Sequence, residues 1–188
     1  LNAKRRRSHF SHGVYPFKIE ETREIDGEVV TIRPVKPVDQ RRIQEHFYNL
    51  DKKDVISRFF HDKSSFVRDE MEELSQIDYI KNLTLVAIIG EFGFGRVVAV
   101  GEYLFDTEEN NAEIAFSVNR DFQGKGIGKI LIKKLAEAAR ENGISGMHAY
   151  TSSRNKPMVK LFKILPYKTQ TSIDGDILRL SCKFDEPA

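Results

Sequence analysis

The stretch RDFQGKGIGK, residues 120–129, places glycines at 124, 126 and 128, with lysines at 125 and 129. Glycine lets a backbone turn left-handed and come close to a ligand, and lysine supplies charge to a phosphate. Three phosphate-binding chemistries compete for it. A dinucleotide-binding loop needs G-x-G-x-x-G inside a βαβ unit, whereas the spacing here is G-x-G-x-G. A Walker loop needs four residues between its first glycine and its Gly-Lys pair and then Ser or Thr, but here only three separate Gly124 from Gly128-Lys129 and Ile130 follows Lys129. The third reading needs only a strand, a glycine turn and a long helix, whose exposed N–H groups and dipole hold a pyrophosphate. It fits every element around the stretch. A plain flexible connector is the alternative, although a connector has no need of two lysines among three glycines.

The surrounding periodicities supply those elements. EVVTIRPV (28–35) alternates and is β-branched, so it predicts a strand, and Pro37 with Asp39 opens a helix to about Asn49. Phe66, Met71, Leu74 and Ile77 predict a second helical region. Three strands follow at 83–89, 95–105 and 112–118, joined by the short turns GEFGFG and DTEENN, and predict an antiparallel meander. From Gly126 to Asn142 the apolar residues Ile127, Leu131, Leu135 and Ala138, flanked by Ile130 and Ala139, share one helical face, and Gly143 ends the helix. A strand at 146–151, a helix at 156–164 and strands near 167–172 and 176–183 complete the order. The expected fold is α+β: a single domain with a central, mostly antiparallel twisted sheet of about seven strands and about four helices. Residues 1–27 read as an extension or linker and 28–184 as the domain.

Composition narrows the partners. The 188 residues carry 30 basic and 28 acidic side chains, a formal charge of +2, so no polyanionic partner is implied by the whole-molecule field. Lys4, Arg5, Arg6 and Arg7 form a local basic run that reads as a solvated tail, with a nucleic-acid contact as the alternative. No apolar run approaches the roughly 18 to 20 residues of a membrane span, and no signal-peptide core follows the basic start. The lone Cys182 cannot form an internal disulfide; it reads as a packed thiol in a cytoplasmic protein. The histidines at 9, 12, 46, 61 and 148 show no metal-ligand spacing, so no metal is expected.

The run AEIAFSVNRDFQGKGIGKILIKKL resembles the acetyl-CoA-binding core of the GCN5-related N-acetyltransferases, whose Gln/Arg-x-x-Gly-x-Gly/Ala signature corresponds to Gln123, Gly126 and Gly128. NKPMVKLF resembles the family's Asn-led segment that opens the helix beside the cofactor. The resemblance spans roughly residues 29–183. VTIRPVKPVD, SRFF (57–60) and LSQIDYIKNLTLVAI (74–88) are similar to the acetyltransferase domain of bacterial protein lysine acetyltransferases, often fused to acyl-CoA synthetase or transferase modules. A chain that starts at Leu1 is then expected to be the C-terminal part of such a fusion.

The resemblance implies residue roles. Glu113 matches the glutamate that accepts the ammonium proton in the lysine-acetylating branch. A lysine near pKa 10.4 is almost wholly protonated at pH 7, a deficit of roughly 4 to 5 kcal/mol that a base must offset. Glu102 is the reserve base, and a solvent-facing strand glutamate is the plain reading of Glu113. A backbone N–H near Ser117 or Val118 would polarise the thioester, and the pantetheine arm would run along Phe116, Ser117 and Val118. Gln123, Gly124, Lys125, Gly126, Ile127, Gly128 and Lys129 would hold the pyrophosphate, and Asn155 would reach the pantetheine. The family's frequent tyrosine acid is replaced by Phe162, and Pro166 stands where glycine is usual. A thiol of pKa about 8.5 leaves without much help. Arg58, Phe59 and Phe60 could shape an acceptor groove, and His148 could line it. The implied function is transfer of acetyl from acetyl-CoA to an amine, with a protein lysine as first acceptor. A small amine or amino acid is the alternative acceptor, and a non-catalytic acetyl-CoA sensor is the rival from another class.

Overall fold

The structure, a computed structural model, describes residues 14–50, 78–90 and 95–188. The region expected to be helical at 66–77, the SRFF segment, the basic run and His9, His12 and His61 lie outside the described residues. In chain order the elements are β1 (Glu21–Ile25), β2 (Glu28–Pro34), α1 (Gln40–Tyr48), β3 (Asn82–Ile89), β4 (Arg96–Asp106), β5 (Asn111–Val118), α2 (Ile127–Glu141), β6 (Gly146–Ser152), α3 (Lys156–Lys163), β7 (Tyr167–Asp174) and β8 (Ile177–Pro187). The strands form one eight-stranded sheet in the order β1-β2-β3-β4-β5-β6-β8-β7. All neighbours are antiparallel except β5 and β6. The expected class holds, and the sheet has one strand more than the seven expected. The addition is β1, whose sequence ETREI carries too little apolar alternation to be read as a strand. It is held by pairing with β2 through a turn in which Asp26 and Gly27 both have positive φ. Three of the about four expected helices stand among the described residues, and the remaining one, expected near 66–77, lies outside them.

The helices sort onto opposite faces of the sheet. α1 lays Ile43 and Phe47 on Val86, Val97 and Val100, so the even-numbered side chains Val100, Glu102 and Leu104 of β4 face α1. α2 packs on the other face, where a Cβ on Gly101 would meet the Cβ of Leu131 at 3.3 Å. That α2 face is wider than the expected stripe: Ile132 and Ala136 are buried with Ile127, Leu131, Leu135, Ala138 and Ala139, while Ile130 is half-buried. A helix on a flat sheet covers more than a narrow seam.

Before α1 the chain is locked by a buried ion pair. Arg33 gives two 2.7 Å bonds to the Asp39 carboxylate, which also accepts the Lys36 N–H at 2.7 Å. Asp39 is wholly buried. It closes the PVKPVD turn, where the two prolines disfavour a regular helix until Gln40.

Candidate active site

The parallel contact of β5 with β6 lasts for only two residue pairs, Ala112↔Met147 and Glu113↔His148. From there β6 stays with β8 as far as Ser152↔Ile177, and β5 stays with β4 as far as Val118↔Ala99. The two strands therefore splay into a notch along Ile114–Val118. Asn119 N–H donates to Val98 O at 2.7 Å, which fixes the phase of the β4–β5 ladder. Alternation then points the Ala115 and Ser117 amides at β4, and those of Phe116 and Val118 into the notch. Of the amides around Ser117 and Val118, where a donor is expected, those of Val118 and Phe116 face the notch, and the Ser117 N–H belongs to the ladder.

A cavity of about 450 Å³ opens on this notch. Phe116, Ser117 and Val118 form its strand side, the glycine loop its end, and Asn155, Pro157, Met158 and Leu161 its α3 wall. The Phe116 ring lies across Gly101, where an added Cβ would sit 3.0 Å from the ring, so the glycine in mid-strand seats the aromatic wall. Gln123, Gly124, Gly126, Ile127, Gly128 and Lys129 also line this cavity. Gln123 Nε2 donates to Val118 O at 3.0 Å and ties the loop to the strand end. Asn155 caps α3, accepting the Met158 N–H at 3.2 Å while donating to Thr151 Oγ1 at 2.7 Å. Its amide therefore shapes the wall as well as lining it.

Gly126 is the N-cap of α2, at φ 88° and without a side-chain cap. The amides of the first turn of α2 have no intrahelical acceptor and, with the loop glycines, line the end of the cavity as free donors, an arrangement chemically suited to an anion. Lys125 is the one expected loop residue outside this lining. Its Nζ is 2.6 Å from Asp26 in the β1–β2 turn, on a second cavity of about 520 Å³ between β1 and α2. Lys129 borders both cavities.

On the α1 face, four residues up β5 from Ser117, stands Glu113. It is exposed at the surface, yet its pKa is raised, first by desolvation and then by the charge of Asp106. Its neighbour across the parallel contact, His148, is buried, with Nδ1 2.8 Å from Asn111 Oδ1. Desolvation, and next Arg179, lower the His148 pKa. Glu102 lies on the same face, 1% exposed. Sequence reasoning missed a further contact there: His46 Nε2 and Ser117 Oγ share a 3.0 Å hydrogen bond. The one signal available was a histidine on the apolar face of a short helix.

Other expected roles resolve simply. Cys182 is a packed thiol whose pKa burial pushes up to about 11. Phe162 is fully buried in the core. Among the described residues no helix is long and apolar enough to cross a membrane, and no group of three or more His, Cys, Asp or Glu is placed to hold a metal.

Similarity to known proteins agrees with this geometry. The acetyltransferase (GNAT) family profile matches residues 47–165. An acetyltransferase of Pseudomonas aeruginosa is 30% identical over 149 residues, 79% of this chain and 80% of that protein. Acetyltransferase Pat of Mycolicibacterium smegmatis is 29% identical over 136 residues, 72% of this chain but only 40% of its own length. The crystal structure of the GNAT domain of S. lividans PAT superposes with a TM-score of 0.77 at 24% identity, covering 91% of this chain and all of that domain. The structure of yncA from Salmonella typhimurium, solved with its cofactor acetyl-CoA, gives a TM-score of 0.59 at 22% identity, over 85% of this chain and 96% of that one. With a splayed β5–β6 notch, a glycine-led α2 and these relatives, the chain belongs to the acetyltransferase (GNAT) family and is an N-acetyltransferase.

Proposed function

We propose that this chain moves the acetyl group of acetyl-CoA to the side-chain amine of a protein lysine, with Glu113 as general base. The observation that carries the reading is the single cavity that joins the notch amides of Phe116 and Val118 to the uncapped start of α2. A pantetheine arm is an extended, amide-bearing chain, and the free edge of β5 offers it strand-like partners. The α2 cradle suits the pyrophosphate at the arm's far end. In the reaction the ammonium gives a proton to Glu113, and the freed lone pair attacks the thioester carbonyl carbon. The new C–N bond forms as the C–S bond breaks and the electron pair leaves on sulfur, and the second proton, shed by the nitrogen as it becomes an amide, neutralises the departing thiolate. A notch amide, Val118 or Phe116, is aimed to meet the charge growing on the carbonyl oxygen, worth a few kcal/mol, about 3, in comparable sites. A protein acceptor is supported by the likeness to Pat, and the raised pKa of Glu113 suits a base.

The test is free-thiol release from acetyl-CoA with a panel of lysine-bearing proteins, acyl-CoA synthetases among them, and simple amines. Protein-dependent release with mass gain on one lysine is the expected result. Release on small amines alone would move the acceptor to a metabolite, and acetyl-CoA binding without release on any acceptor would overturn the reading.

Two further outcomes follow. Gly126→Ala puts a side chain on a residue at φ 88°, a conformation that costs an L-residue about 1 to 2 kcal/mol. The loop relieves this strain by rotating the cradle amides, so the Kd for acetyl-CoA is expected to rise about tenfold by calorimetry. The second outcome is the acid limb of kcat/KM. Because the Glu113 pKa is raised, its carboxyl keeps its proton to higher pH than a free glutamate, near 4.3. Activity that needs the carboxylate is therefore lost as pH falls through a value above 4.3, and a rate profile from pH 4 to 9 reads that limb.

A further inference from the structure

Between α1 and β5 lies a buried polar contact that the reaction as written does not use. His46 is 3% exposed and Ser117 4% exposed. Their side chains meet at 3.0 Å between Nε2 and Oγ, in a bond where either atom can donate. On this face α1 packs Ile43 and Phe47 against Val86, Val97 and Val100, so the bond sits in a mostly apolar layer that also holds the buried Glu102. A hydrogen bond in such a layer holds its partners more strictly than one in water.

The place it holds matters more than its strength. Ser117 is the residue between Phe116 and Val118, whose amides face the notch, and its own backbone is bonded to Val100 of β4. Strand β5 has lost β6 as a neighbour by this point, since their pairing ends at Glu113↔His148. The contacts that hold it here include the β4 ladder on one edge, the packing of Phe116 and Val118 on the α2 side, the Gln123 side chain on Val118 O, and His46 through the Ser117 hydroxyl. With its second edge unpaired, the strand resists rotation about the β4 edge only through side-chain contacts on the two faces of the sheet, Phe116 on the α2 side and Ser117 on the α1 side. The His46 bond acts on the sheet face, perpendicular to the ladder, and opposes this rotation.

Resting on the acetyl-transfer reading above, we propose that His46 is a positioning residue: it pins Ser117 from the α1 face and so fixes the direction of the Phe116 and Val118 amides relative to the thioester carbonyl. Acetyl-CoA is held along the whole cavity, from the α2 cradle to Leu161, so its affinity depends little on this one rotation. The rate depends on it steeply, because a donor tilted away from the developing charge loses its effect.

The experiment uses the full chain with acetyl-CoA and poly-lysine as the acceptor probe, in wild type, His46→Phe, His46→Gln, Ser117→Ala and the double variant His46→Phe/Ser117→Ala. His46→Phe is expected to lower kcat about tenfold while the KM and calorimetric Kd for acetyl-CoA stay within about twofold. Gln places an amide nitrogen near the position of Nε2, so His46→Gln is expected to recover kcat to within about threefold of wild type. Ser117→Ala removes only the hydroxyl and is expected to match His46→Phe, with no further loss in the double variant. This variant also carries the test if His46→Phe fails to fold. A purely structural contact would lower Tm and leave kcat of the folded protein unchanged; that result, additive losses, or glutamine no better than phenylalanine overturns the inference alone. Absence of transfer by wild type to poly-lysine and to the protein panel overturns the functional reading, and this inference with it.

Discussion

Replacing Glu113 by glutamine is expected to reduce kcat/KM for the amine acceptor by about 10² to 10⁴-fold, the usual range for a lost general base, with the Kd for acetyl-CoA unchanged. Glutamine keeps the size of the side chain and cannot take the proton. The cavity that would hold the co-substrate is lined from Phe116 onward and does not include residue 113, so binding and turnover separate cleanly. The variant is also expected to lose the acid limb of the pH profile. Its stability provides an internal control with a definite sign. The pKa of Glu113 is raised in the folded chain, so its protonated form favours folding below the unfolded pKa, and that contribution is lost as pH rises through the folded value. At neutral pH the charged carboxylate opposes folding, so Glu113→Gln is expected to be no less stable than wild type in urea. A variant that is equally stable, binds acetyl-CoA and turns over at the wild-type rate removes Glu113 from the mechanism. Glu102, 1% exposed on the adjacent strand and on the same face, is then the next residue to replace.

The second large effect is on stability. Asp39→Ala is expected to destabilise the domain by about 3 to 5 kcal/mol, because it leaves Arg33 partly buried without its counter-charge. Arg33 is 14% exposed at its side chain and Asp39 0%. Asp39 also accepts the Lys36 N–H and lies 3.5 Å from Arg42. Its loss therefore releases three donors and the turn that leads into α1. Since α1 carries His46, the same variant is expected to lower kcat of whatever fraction stays folded. Chemical denaturation followed by circular dichroism reads the first effect, and a thiol-release assay at low temperature the second. Arg33→Met/Asp39→Leu, which removes both charges, is expected to recover much of the stability.

Local pattern was sufficient for much of this protein. The β-branched alternation of β2, β3, β4 and β5 and the apolar face of α2 each carry their own signal, because one side of every such element must be buried. The glycine loop was legible for a related reason. Positive φ at Gly124 and Gly126 and a close approach at Gly128 leave few residue types possible, so the requirement is written into the composition itself. Glu113 and the loop residues could be singled out by their place in a motif. By contrast, β1 was invisible: ETREI pairs because β2 offers an edge, and its side chains are mostly exposed.

What only the tertiary structure decided is where strands part and what reaches across the sheet. No pattern within residues 111–118 or 146–152 says that β5 and β6 pair for two residues and then diverge, since the divergence depends on β6 following β8. The choice of Val118 and Phe116 over Ser117 as notch-facing amides likewise follows from the phase of the β4 ladder. Lys125 turned from the cavity to Asp26 because a hairpin almost 100 residues earlier in the chain folds beside it. His46 meets Ser117 across 71 residues of sequence. Periodicity reports how a segment faces solvent, a property of neighbouring residues. Pairings at such separations are set by which faces must be buried together, and they appear only when the sheet and its helices are assembled.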